Sequence, residues 1–267
     1  MRPFLQLYLQ QFKTTFATMV QYRAALAIWI GGQVLEPLIY LVVWSVVSGA
    51  RGGAVGDYTT AEFAAYFIVL MLVNHLTYTW IMYEYEYRVR HGSLSFALLR
   101  PVHPIHSDIS DNASSKVLSF PWMLLTAIVL GLLFHPAFSF TPWALAAALP
   151  ALALAFLLRF LLEWTLALAA FWTTRVSAFN QLYFVAMLFL SGQIAPLSLF
   201  PPWVQSVAAI LPFRWMIGFP VELMLGRLTP SQMWIGLLVQ IVWAALALGL
   251  VRLVWRAGVR VYSAVGA

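Results

Sequence analysis

Residues 192–227, GQIAPLSLFPPWVQSVAAILPFRWMIGFPVELMLGR, set the sharpest limit on the fold. The stretch is almost as apolar as a membrane span, yet prolines fall at positions 196, 201, 202, 212 and 220. Each proline removes a backbone donor and clashes with the preceding turn, so no straight helix can run through it. Backbone groups left without partners cannot face lipid. The expectation is a set of short helices leaning on protein, a re-entrant hairpin that roofs a membrane pathway. The alternative is an apolar loop outside the membrane.

That reading requires a membrane protein around the stretch, and the composition supplies one. Of 267 residues, 63% are hydrophobic and only 9% charged, against about 25% charged in an ordinary soluble domain. No polar segment is long enough to fold alone, so residues 1–267 are expected to form a single transmembrane domain. Cysteine is absent, which excludes disulfides and thiolate metal sites. The N-terminus lacks the charged, apolar and small-residue order of a cleaved signal peptide. The net charge of +6 sits beside apolar runs, so it concerns membrane topology and not nucleic acid.

Hydrophobic periodicity divides the chain into an all-α plan. Within residues 3–21, Leu5, Leu9, Phe12, Phe16 and Met19 recur at three- and four-residue spacing, with Gln6, Gln10, Lys13 and Thr14 elsewhere. This is the pattern of an amphipathic helix lying in the membrane interface. Six transmembrane helices are expected, at 24–48, 61–82, 117–134, 143–172, 178–195 and 233–254. Between them lie a Gly-rich connection at 49–60, a polar cytoplasmic loop at 83–116 and the re-entrant region at 196–227.

Several spans carry polar residues. Glu36 sits mid-span before Pro37, Asn74 and His75 fall in the second span, and Arg159 and Glu163 in the fourth. A charge at mid-bilayer costs about 2.5–3.5 kcal/mol on insertion scales, so Glu36 should face protein or water, or be protonated. Arg159 and Glu163 are four residues apart and share a helix face, as expected of a buried pair between helices.

With a cytoplasmic N-terminus, six spans place Arg2, Lys13, Arg23, Arg88, Arg90, Arg100, Lys116, Arg175, Arg252, Arg256 and Arg260 inside. Only Arg51, Arg214 and Arg227 fall outside, with Arg159 in a span. The imbalance follows the positive-inside rule, putting both termini in the cytoplasm and the proline-rich stretch on the far side.

Chemistry is sparse. A phosphate-binding loop needs G-x-x-x-x-G-K-[ST], and neither lysine, Lys13 or Lys116, follows a glycine. The chain is therefore not expected to hydrolyse nucleotides or to bind a cofactor directly. His103, His106 and Asp108 in HPIHSD have metal-like spacing, but zinc sites use three or four ligands in fixed geometry. Polar loop residues near the membrane surface fit better, so no metal and no catalytic residue is expected. A membrane enzyme using HPIHSD stays open as a lesser reading, as does an ion-driven transporter relaying protons through Glu36, His75 and Glu163. More telling is segment 88–105, RVRHGSLSFALLRPVHPI. Leu94, Phe96, Leu98 and Leu99 form an apolar core flanked by Arg88, Arg90 and Arg100, bounded by Gly92 and Pro101. An exposed short helix of this kind suits docking into a partner's groove. A helix lying on anionic headgroups is the alternative.

The whole arrangement resembles the membrane (permease) subunit of type-2 ATP-binding cassette (ABC) exporters. The matching features are the interfacial helix, the six spans, a coupling segment between spans two and three, and the region after span five. There Gly192, Pro196 and Leu197, then FPPW at 200–203, Leu211-Pro212, and Pro220 with Gly226 resemble the family's signature region. GSLSFALLRPVHP is similar to the G-x-L-x-x-x-L-x-R-P run of one bacterial branch. The resemblance implies ATP-driven export of an amphipathic substrate: a drug-like compound, a lipid or a lipid-linked glycan. It also implies two cytoplasmic ATPase subunits holding ATP and Mg, a second permease (homologous or identical), and residence in the inner membrane of a bacterium. By it, 88–105 carries the coupling helix. Pro196, Leu199, Phe200, Pro201, Trp203, Leu211, Pro212 and Pro220 belong to an outer gate. The long fourth block with Arg159 and Glu163 has no counterpart in that pattern.

Overall fold

The computed structural model describes residues 2–173 and 176–262. Helix α1 (Arg2–Gln21) turns at Tyr22 into α2 (Arg23–Ala50). A minimal hairpin, β1 (Ala54–Val55) and β2 (Tyr58–Thr59), pairs Ala54 with Thr59 and Val55 with Tyr58. Then come α3 (Thr60–Thr77), α4 (Ile81–Arg90), α5 (Leu94–Leu98), α6 (Pro104–Phe134) and α7 (Pro142–Ala167), the last tightened into a 3-10 turn at Leu168–Phe171. The chain ends with α8 (Val176–Leu190), α9 (Pro202–Ile210), α10 (Phe213–Met216), α11 (Gly218–Met224) and α12 (Pro230–Val261).

Local chemistry explains where these helices begin. Thr59 with Glu62 and Thr229 with Gln232 form reciprocal capping boxes at the starts of α3 and α12. Proline occupies the first turn of α6, α7, α9 and α12, where its missing N–H costs nothing. The prolines of 196–227 thus punctuate short helices, as expected: α9, α10 and α11 have nine, four and seven residues.

Five stretches are long and apolar enough to cross a membrane: Ala24–Ala50, Thr60–Arg90, Pro104–Phe134, Pro142–Phe171 and Pro230–Val261. The fifth expected span, α8, has 15 residues. That is about 22 Å at 1.5 Å per residue, short of a hydrocarbon core about 30 Å thick. The protein is an all-α polytopic membrane protein apart from the hairpin.

Helix α3 is the axis of the molecule. Phe63, Tyr66, Phe67, Leu70, Met71 and Val73 on it are buried, and α2, α6, α7 and α11 pack around it. Helix α1 rests on α6, and α12 lies along α7. Lipid is as apolar as leucine, so close packing and polar contacts decide which faces turn inward. Gly236 of α12 shows the first effect: a Cβ there would lie 2.1 Å from the Phe219 ring.

The stretch 83–116, expected as a loop, is mostly helical. Helix α4 runs on to Arg90 and α6 starts at Pro104. Its polar residues satisfy one another within and across helices: Arg88 pairs with Glu84 of its own helix and with Asp108 of α6, and Asp111 accepts from Thr15 at 2.9 Å and from Gln11 at 3.3 Å. Lys116, counted above among the cytoplasmic loop charges, is instead buried inside α6. Arg175 of the same set lies outside the described residues.

Candidate functional site

The second span breaks at Tyr78–Trp80, between α3 and α4, and a polar centre is built on that break. A helix end leaves carbonyls unpaired and carries partial negative charge, so cations are favoured there. Two buried cations meet it. Lys116, from α6, donates through Nζ to the Tyr78 carbonyl. Arg159, from α7, donates through Nη1 to Asn74 Oδ1 at 2.8 Å and Thr77 Oγ1 at 3.1 Å. Its Nε donates to Glu163 Oε1 at 2.8 Å, and its guanidinium lies 5.2 Å from the Tyr78 ring centre. Glu163 accepts further from Thr79 and from the Tyr183 hydroxyl at 3.2 Å. The pair expected between Arg159 and Glu163 is thus present, and both charges are hydrogen-bonded. That offsets the large cost of removing them from solvent.

Beside this pair lies a cavity of about 370 Å³ lined by Glu36, Asn74, Tyr78, Arg159 and Gln193, with α8 forming the apolar wall. Glu36 lines this cavity and, among the described residues, makes no hydrogen bond. Gln193, from the loop after α8, donates to Asn74 Oδ1 at 3.4 Å. The expected polar residues therefore divide. Glu36, Asn74, Arg159 and Glu163 gather at one centre, whereas His75 bonds Gln33 at 2.7 Å and Ser119 at 3.1 Å. No bond joins His75 to Glu36 or Glu163 as a proton relay would need. Lys116, Thr79, Tyr183 and Gln193 were missed from sequence. A lysine just before an apolar run looks like a loop end, and hydroxyls in spans are too common to mark a site.

The loop that follows α8 is anchored on the central helices. Gly192 has φ of +94°, a left-handed conformation, and its carbonyl accepts from the Tyr66 hydroxyl at 2.8 Å. Trp44 Nε1 donates to the Ile194 carbonyl at 2.7 Å. Of the proposed gate residues, Pro196, Pro212 and Pro220 are buried, Leu199, Phe200 and Leu211 half-buried, and Pro201 and Trp203 exposed. Arg227 closes the segment onto the hairpin. It donates to Glu62 at 2.7 Å and to the Asp57 carbonyl at 3.0 Å, and lies 3.6 Å from the Tyr58 ring centre. Burial pushes the Tyr58 hydroxyl up to about 12, with the Arg227 charge opposing. Gly226, with φ of +68°, faces the Ser139 carbonyl, 2.4 Å from where a Cβ would stand.

At the other end, the 88–105 segment sorts by helical phase. Leu94 is fully buried and Leu98 half-buried, while Phe96 and Leu99 are 71% and 83% exposed. Arg90 pairs with Glu86 at 3.2 Å, Arg88 is engaged as described, and Arg100 is exposed. Ser95 and the Tyr262 hydroxyl lie 3.1 Å apart, which ties α5 to the end of α12.

HPIHSD does not converge. Asp108 accepts from Arg88 and from Trp164 Nε1 at 3.0 Å, while His103 packs on Trp255 with ring centres 4.5 Å apart. Among the described residues no three His, Cys, Asp or Glu side chains are grouped to hold a metal. Burial, then the neighbouring His106, keeps His103 below its ordinary pKa, with Asp108 opposing.

Residues 34–266 match the family model described as ABC-2 family transporter protein. No curated protein and no solved structure matches the chain. That match takes in α2 from residue 34 onward, the other crossing helices whole, the polar centre and both segments flanking it. Membership carries association with an ABC ATPase subunit and makes this chain the transporter's membrane component, not its catalytic part. The chain belongs to the ABC-2 transporter family, as a multi-pass membrane permease.

Proposed function

We propose that this permease moves an amphipathic substrate outward across a bacterial inner membrane, driven by ATP bound with Mg in two copies of a cytoplasmic ATPase. Both termini and α5 lie on the cytoplasmic side, with α8 and the loop after it together making the return crossing between α7 and α12, and a second permease, homologous or identical, completes the pathway. The observation that carries this reading is the polar cavity. It joins α2, the break in span two, α7 and Gln193 of the loop leading into the re-entrant region. Polar groups at mid-span beside an apolar α8 wall suit a molecule with a polar head and a greasy body.

Mechanically, ATPase closure would push α5 and, through it, α4. The break at Tyr78–Trp80 would let α4 tilt while α3 stays packed in the core. Segment 196–227 would then part from the hairpin as an outer gate. ATP supplies the bias between the two states by its differential affinity at the partner.

The test is affinity purification in mild detergent with mass analysis of bound subunits, followed by transport in proteoliposomes. An ATPase with a second permease, and accumulation that requires ATP, supports the reading. Recovery of the permease without an ATPase, or transport driven by a proton gradient alone, would sink it.

A further inference from the structure

Five arginines of this fold, Arg88, Arg90, Arg159, Arg214 and Arg227, each pair with a carboxylate. Arg252 and Arg256 do not. Among the described residues neither has an ion pair or hydrogen bond. They are four apart on α12 and therefore share one face. Both open onto a groove of about 660 Å³ between α6, α7 and α12, whose rim also carries His103 and His106 and whose lining holds no acidic residue. Below the rim the groove is aliphatic, walled by Leu154, Leu157, Leu161, Ile241 and Leu248.

The depth of the arginines fixes the chemistry. Arg252 lies 22 residues after Pro230, the start of α12. At 1.5 Å per residue that is about 33 Å, close to the roughly 30 Å hydrocarbon thickness of a bilayer. With Pro230 at one membrane boundary, Arg252 reaches the other, and Arg256 stands one turn further out in the headgroup layer. Guanidinium groups are well matched to phosphate oxygens. A paired positive rim at phosphate depth above an acyl-lined groove fits a diacyl lipid with an anionic headgroup.

We propose that the groove between α6, α7 and α12 binds one anionic phospholipid, with its phosphate between Arg252 and Arg256 and an acyl chain along α7. Its assignment to the inner leaflet rests on the orientation proposed above; the binding itself does not. The site also abuts the coupling end. Trp255, in the same wall, packs on His103 and on Trp164, whose Nε1 donates to Asp108, the partner of Arg88.

The experiment uses purified full-length permease exchanged into vesicles of equal phosphatidylglycerol and phosphatidylcholine, then extracted and examined by native mass spectrometry. One retained phosphatidylglycerol per permease is expected, favoured at least tenfold over phosphatidylcholine. Arg252→Gln with Arg256→Gln should remove that preference, and Arg260→Gln should keep it. Ala245→Trp, which fills the groove at an exposed position and leaves its charge intact, should also lose the lipid. That variant keeps the test decisive where the arginine pair proves necessary for folding. Excess inorganic phosphate should displace nothing. Equal retention of the two lipids, indifference to the arginine and Ala245 substitutions, or displacement by phosphate would each overturn the proposal. None of these outcomes bears on whether an ATPase drives transport.

Discussion

Arg159 and Glu163, one turn apart on α7, are joined Nε to Oε1 at 2.8 Å, and neither reaches the surface. Each is bound to the broken second span as well, Arg159 through Asn74 and Thr77 and Glu163 through Thr79. The pair is therefore a clamp between α7 and the break, and removing one partner leaves the other charged and buried. Glu163→Leu alone should cost about 3–5 kcal/mol, whereas Arg159→Met combined with Glu163→Leu should recover most of that loss. Thermal unfolding in detergent reads both. A double variant less stable than either single variant would refute the clamp.

Tyr66 and Gly192 form a second lock, between the core helix and the loop after α8. A Cβ on residue 192 would stand 2.7 Å from the Tyr66 hydroxyl, and φ there is positive. Gly192→Ala should destabilise by about 1–3 kcal/mol from backbone strain and crowding. Tyr66→Phe leaves the Gly192 carbonyl without its donor, at about 1–3 kcal/mol. Because Tyr66→Phe also removes the crowding, the double variant should lose less than the sum of the two. Strict additivity in a thermal-shift cycle would show that the two residues do not interact.

Helical phase in α5 separates docking from folding. Phe96 and Leu99 are exposed, whereas Leu98 packs against the core. Phe96→Asp and Leu99→Asp should each weaken ATPase capture more than tenfold, which is about 1.4 kcal/mol, with the permease's melting temperature unchanged. Leu98→Asp should lower that temperature directly. Pull-down and thermal unfolding on the same preparations distinguish the two; capture unaffected by Phe96→Asp and Leu99→Asp would remove α5 from the interface.

The distinction among Leu94, Leu98, Phe96 and Leu99 shows what the sequence can reveal. Once a helix is assumed to start after Gly92, a spacing of four puts Leu94 and Leu98 on one face, and that part was readable. So were the proline-divided short helices: lone prolines are carried inside long helices at Pro37, Pro121 and Pro150, but five within 196–220 remove too many backbone donors for one helix to continue. The shared face of Arg159 and Glu163 was legible for the same reason. The break at Tyr78–Trp80 was not, since no Gly or Pro marks it and its stability comes from Lys116, Arg159 and Glu163 on other helices. The end of α8 was partly legible: Ser191, Gly192 and Gln193 interrupt the apolar run and a left-handed glycine ends helices, but the bonds from Tyr66 and Trp44 that hold the turn come from positions distant in sequence.

His103 offers a test through pH. Burial holds it below the ordinary histidine pKa, near 6.5, so below about pH 6.5 the unfolded chain binds a proton that the folded chain resists. The neutral ring therefore contributes stability at higher pH, and that contribution is lost as the pH falls. His103→Phe keeps a ring against Trp255 and removes the titration. It also removes the acceptor for the Ile105 N–H, a helix cap worth about 1 kcal/mol at every pH. The variant should thus melt lower than the parent at pH 7.5, and the gap should narrow by pH 5.5. His106 remains in both proteins, so the difference between them isolates His103. A gap that stays constant across that range would show that the folded protein accepts the proton on His103 without penalty.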